Sequence, residues 1–201
     1  GKFGIFNYLT YLCGILSKKE VIMANDCCRT LPVGIQSFER IREEGFLYVD
    51  KTDIVWQLAN KGRKYNYFCR PRRFGKSVLV DTLEAYFCGK KELFEGLKVM
   101  DMETEWEKRP VIRLDMSRGG ANSKEITAYL NRTFEDYEKE YGIETTESDS
   151  LANRFDMIIR SACEQTGQQV AILIDEYDSP LQHSWKTPEH EGCTEYMIIS
   201  V

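Results

Sequence analysis

An α/β architecture, with a parallel sheet flanked by helices, is predicted by three observations on this sequence. Apolar runs at 65–69, 110–116 and 169–174 alternate with longer segments of helical period. Such alternation builds parallel sheets with right-handed crossovers. The first run leads directly into Arg70-Pro71-Arg72-Arg73-Phe74-Gly75-Lys76-Ser77, which ends as phosphate-binding loops end. The third run stops on two carboxylates, Asp175 and Glu176, at the strand end where ligands of parallel sheets gather.

The elements follow in order. Ser37 to Glu44 reads as a short helix capped by Ser37 and stopped at Gly45. Phe46 to Val49 is a brief extended piece. Thr52 or Asp53 is expected to cap a helix with Ile54, Val55 and Leu58 on its apolar face. Tyr65 to Cys69 is the first strand. Lys76 to Cys88 is helical, with Val78, Leu79, Leu83, Tyr86 and Phe87 inward and Gly89 as terminator. Pro110 to Met116 is the second strand. Asn122 and Glu125 resemble a capping box opening a helix with Ile126, Tyr129, Leu130, Phe134, Tyr137 and Tyr141 on one side, up to Gly142. Ser150 opens another, with Leu151, Phe155, Ile158, Ile159 and Ala162 inward. Gln169 to Ile174 is the third strand, apolar enough to be buried on both faces.

Bulk properties narrow the function classes. The 201 residues suit one domain, and 42% hydrophobic with 29% charged residues is an ordinary globular composition. A net charge of −5 argues against broad affinity for nucleic acid. Seven cysteines without a CxxC pair, and only His183 and His190 beside them, make no zinc framework and read as reduced cytoplasmic thiols. Phe3 to Leu16 is apolar but shorter than the roughly 20 residues that span a bilayer, so no stable membrane association is expected. Residues 1–22 are expected to be upstream sequence extraneous to the working protein or a disordered segment, against the alternatives of a membrane-associating segment or a packed helix.

The loop and the carboxylates make one chemistry. Lys76 would pair with the β- and γ-phosphates of a nucleotide, and Ser77 would give its hydroxyl to magnesium. Backbone N–H groups from Phe74 through Gly75, Lys76, Ser77 and Val78 would hold phosphate oxygens with help from the helix dipole. Arg70, Arg72 and Arg73 could clamp phosphates, pair with carboxylates or bind nucleic acid. Arg70 stands where the usual GxxxxGK[ST] pattern has glycine, and Pro71 pushes it toward an extended conformation. Asp175 would hold the metal and Glu176 would polarise the attacking water, with Asp178 in reserve. Asp115, ending the second strand, reads equally as a second layer behind the metal or as a helix cap. Tyr129, Tyr137 and Tyr141 read as core or boundary positions, and the two histidines as surface.

These residues resemble the bacterial AAA-ATPase-like family of P-loop NTPases. The likeness is carried by LPVGIQSFERIREEGFLYVDKT (31–52), FCRPRRFGKSVLVDTLEAYFCGKKELFEGL (68–97), PVIRLDMS (110–117) and AILIDEYDSPL (171–181), within a domain of residues 31–190. The arginine in RPRRFGKS is itself a trait of that family. The resemblance implies a three-layer P-loop NTPase-type parallel sheet, ATP and Mg2+ as ligands, Lys76 and Ser77 as Walker A contacts, and Asp175 and Glu176 as the Walker B pair. Longer members carry a nuclease-like domain downstream, which would bring nucleic acid as a partner; oligomers are compatible with the class. Residues 191–201 do not look like the family's continuation. In this class a later strand separates the P-loop strand from the Walker B strand, so the sheet is expected to be incomplete at the C-terminus and this chain to bind nucleotide weakly or to be inactive. The rival readings are a non-hydrolysing nucleotide-binding regulatory switch, and a nucleic-acid-binding module using Arg70, Arg72, Arg73 and Lys76.

Overall fold

The protein is described here from a computed structural model, over residues 30–61, 65–66, 74–120, 122–146 and 148–177. The expected strand at 65–69 therefore falls mostly outside the described residues. So do Arg70, Arg72, Arg73, Asp178, both histidines and the segments 1–22 and 191–201.

Local caps define most helices. α1 (Phe38–Glu43) starts at Ser37, whose hydroxyl accepts the Arg40 N–H at 3.4 Å, and it buries Phe38 and Ile41. α2 (Thr52–Asn60) departs from expectation, because neither Thr52 nor Asp53 caps it. Asp50 does the work from upstream, accepting the N–H and hydroxyl of Thr52 at 2.9 and 2.7 Å. Thr52 is fully buried, and its hydroxyl oxygen accepts the Val99 N–H at 3.1 Å. The second oxygen of Asp50 takes the Lys98 N–H at 2.8 Å. The start of α2 is thus pinned to the 3-10 turn at Lys98–Asp101. Phe46 to Val49 belongs to no strand.

α3 (Lys76–Phe87) buries Thr82, Ala85 and Tyr86, while Val78, Leu79, Leu83 and Phe87 are only half-buried. Thr82 is tolerated in the interior because its hydroxyl donates to the Val78 carbonyl at 2.7 Å. A first core gathers Phe38, Val55, Tyr86, Phe94 and Val99, with Trp106 packed against it.

β1 (Val111–Asp115) and β2 (Ala171–Asp175) form a parallel pair with Val111 opposite Ala171 and Asp115 opposite Asp175. α4 (Ser123–Tyr141) is capped by Asn122, whose side-chain oxygen accepts the Glu125 N–H at 3.0 Å. α5 (Leu151–Thr166) is capped by Ser150, which accepts the Asn153 N–H at 3.2 Å. Ile112 and Leu114 face these two helices, making a second core with Ile126, Leu130, Phe134 and Ile158. The intervening Arg113 reaches the other way, to Asp81 and Glu84 of α3, as strand alternation requires. Helices therefore flank the sheet. The fold is mixed α/β, with a small parallel sheet compatible with a P-loop-like arrangement.

Burial of the third run on both faces does not hold throughout. Ile172 remains 39% exposed although Ile112, beside it on the same face, is fully buried. Among the described residues no helix is long and apolar enough to cross a membrane.

Candidate functional site

The N-terminus of α3 differs physically from those of the other long helices. Its N-cap is Gly75, at φ 74° and ψ 27°, and no side chain caps the helix. A left-handed backbone here calls for glycine; a Cβ would meet nothing within 4 Å, so conformation and not crowding sets the requirement. The first turn holds no acidic residue and begins instead with Lys76. The opening N–H groups of a helix have no intrahelical acceptors, and its dipole favours a negative charge. A lysine in that place concentrates positive potential and suits an anion.

β2 delivers the opposing carboxylates. α3 packs against β2, and Lys76 Nζ lies 3.4 Å from Glu176 Oε1. Two motifs far apart in sequence thus meet in space. Asp175 is 5% exposed, and its Oδ1 accepts the Glu176 N–H at 2.9 Å. Its Oδ2 has no partner among the described residues. A buried carboxylate oxygen without a donor is costly, and a hard cation or its bound water is what such an oxygen accommodates. Ser77, in the first turn of α3, offers a hydroxyl that makes no hydrogen bond among the described residues. Magnesium keeps several waters and takes few protein ligands, and a carboxylate and a hydroxyl are oxygen donors of the kind it accepts. Glu176 has φ +50° and is the one non-glycine with positive φ among the described residues. Backbone in that region persists where the surroundings hold it, commonly at working sites.

Beside Gly75 opens a cavity of about 270 Å³. Leu31, Ile35, Val49 and Ile54 line it from the amino-terminal side, and Phe74 and Val78 from the helix start. No carboxylate or carboxamide is among its described lining residues. Leu31, Val33, Val49 and Phe74 are each at least half exposed. In the sequence, 31–52 carries part of the family likeness and holds two helical starts and an extended piece, with no ligand-facing role assigned to it. An apolar wall has no motif, and its role emerges only when folding sets it beside the Gly75 loop.

Of the anticipated site residues, Phe74, Gly75, Lys76, Ser77 and Val78 lie together at the start of α3, and Glu176 meets Lys76. Asp115 stands at the end of the paired strand but is occupied locally. It accepts from the Ser117 N–H at 3.1 Å and from Arg118 Nε at 3.1 Å, capping the turn Met116–Gly119. Of its two readings, this is the cap. Sequence reasoning did not find Asp81, which accepts the Phe38 N–H at 3.2 Å and pairs with Arg113. This carboxylate couples α1, α3 and β1 behind the site. Its signal, a charge on a helix otherwise selected for apolar packing, was too common to single out.

The sequence profile of a family described as "Predicted AAA-ATPase" matches residues 32–198. A protein of Azotobacter chroococcum mcd 1, described as an uncharacterized protein in the vnfD 5′ region, is 38% identical over 164 residues. The match covers 80% of this chain but 31% of that relative, so the chain spans about a third of its length. No solved structure matches significantly. The family match supports nucleotide binding or ATPase activity at a coarse level. By that match and that relative, the chain belongs to the AAA-ATPase-like family.

Proposed function

We propose that the chain binds ATP with magnesium at the junction of α3 and β2, and that the site belongs to an ATPase. The observation that carries the reading is the meeting of Lys76, at an uncapped helix start, with the Asp175-Glu176 pair at the end of a parallel strand. Lys76 would neutralise terminal phosphate oxygens, and the N–H groups of the first turn would hold them. Ser77 and Asp175 would hold magnesium, which supplies charge neutralisation between the phosphates when bound. Glu176 would accept a proton from the attacking water during hydrolysis. The arginines at 70, 72 and 73 remain further phosphate contacts in this proposal, within a three-layer domain of residues 31–190. Turnover belongs to the whole protein, and a downstream nuclease-like domain or an oligomer would decide what it drives.

The apolar cavity extends the reading to the base. A phosphate chain anchored at Gly75 to Ser77 would leave the base beside this cavity, whose wall buries flat apolar surface. Guanine carries more polar edge groups than adenine, and burying them without partners is penalised. Among the described lining residues no carboxylate or carboxamide is placed to accept from guanine's N–H edge, which favours adenine.

Equilibrium binding of fluorescently labelled ATP and GTP tests this. ATP is expected to bind more tightly than GTP, by about tenfold, equivalent to about 1.4 kcal/mol. Asp175→Asn is expected to weaken ATP binding with magnesium present and to matter much less with EDTA. Equal affinity for both nucleotides would refute the base assignment, and a magnesium-independent effect of Asp175→Asn would refute the metal assignment.

A further inference from the structure

We propose that Glu176 is a latch on the phosphate site, its carboxylate occupying Lys76 until nucleotide phosphates displace it. This regulation of the same site rests on the phosphate-binding reading above. Three observations carry it. Lys76 Nζ and Glu176 Oε1 are 3.4 Å apart, so the cation meant for an anion already has one. The side chains are 23% and 36% exposed, so water reaches the pair and it can exchange. The backbone of Glu176 is turned to φ +50°, with its N–H on Asp175 Oδ1 at 2.9 Å.

A glutamate in left-handed backbone needs restraints, and among the described residues two contacts hold it: Lys76 at its side chain and Asp175 at its N–H. The proposed phosphate falls on the first of these groups. Phosphate oxygens would take Lys76, while the metal would take Oδ2 of Asp175 and leave the Glu176 N–H on Oδ1. Filling the site therefore frees the Glu176 carboxylate to turn toward water while its backbone stays held. With the site empty, the same carboxylate competes with phosphate and holds affinity down.

The test is calorimetric titration of the β,γ-imido analogue of ATP, with magnesium, into the 201-residue chain and into Lys76→Ala, Glu176→Gln and Glu176→Asp. Aspartate keeps the charge but shortens the arm, so it separates a latch from simple repulsion between a carboxylate and phosphate. Both Glu176 variants are expected to bind about two- to fivefold more tightly than wild type, the range of one partly exposed ion pair. Lys76→Ala is expected to bind about tenfold or more weakly than wild type. Tightening by Gln alone, with Asp at or below wild-type affinity, would overturn the latch in favour of repulsion. Weakening in Lys76→Ala with both Glu176 variants unchanged would overturn the latch and leave the phosphate site standing. No binding by any chain would overturn both.

Discussion

Arg154 and Glu138 meet inside the protein through two bonds, Nε to Oε1 at 2.7 Å and Nη2 to Oε2 at 2.8 Å. The hydrogen bonds from Arg154, working against burial, hold the Glu138 carboxyl below its ordinary value of 4.5. Its stabilising contribution is therefore complete above about 4.5 and is lost as pH falls through the lower folded-state value. Glu138→Gln leaves the guanidinium buried without its counter-charge. It is expected to cost about 3–5 kcal/mol at neutral pH by chemical denaturation. Its stability should also fall less steeply than wild type on acidification below about 4.5. A cost under about 1 kcal/mol would mean that water reaches the pair freely. Both partners had a readable signal. Residues 126, 130, 134 and 138 repeat at four-residue spacing, as do 154, 158 and 162, so each apolar stripe carries one charge of opposite sign. Gly75, Lys76 and Ser77 were legible because their chemistry is contiguous. That Lys76 would rest on Glu176 was not, since it depends on the backbone turn at Glu176.

The elements were legible wherever their ends are local. Ser37, Asn122 and Ser150 cap as their spacing predicts, because each bond spans only three residues. The start of α2 was misread because the hydroxyl of Thr52 is committed to Val99, and distant partners leave no local pattern. The outer edge of β1 makes the same point. The hydroxyls of Tyr137 and Tyr129, both on α4, accept the N–H groups of Arg113 and Asp115 at 2.8 and 2.9 Å. A helix thereby closes a strand edge that would otherwise present unpaired donors. Burial pushes the Tyr137 phenol above its ordinary value, as expected of a hydroxyl kept neutral inside the fold. Tyr137→Phe preserves the ring and removes the acceptor. The expected cost is about 1–3 kcal/mol by denaturant titration, with faster amide exchange at Arg113. Unchanged exchange at that amide would show that the edge is satisfied in another way.

At the scale of the whole molecule, the candidate site sits where the two cores join. α3 carries the anion-binding start on one side and Tyr86 and Ala85 into the first core on the other. β2 brings Asp175 and Glu176 from the edge of the second core. Arg113, between Asp81 and Glu84, ties the two halves behind the site. The α/β class and the parallel pairing were legible because strand and helix periods alternate in the sequence. The apolar cavity and the Asp81 tie were not, because they come from surfaces that meet only in the folded chain. Calorimetric titration of Mg·ATP into this chain and into Lys76→Ala tests the central claim most directly. Saturable binding is expected, weakened by about tenfold or more in the variant, since a charge-assisted contact is worth about 1.5–3 kcal/mol. Equal affinity in the two chains, or no saturable binding in wild type, would contradict a nucleotide site built on Lys76.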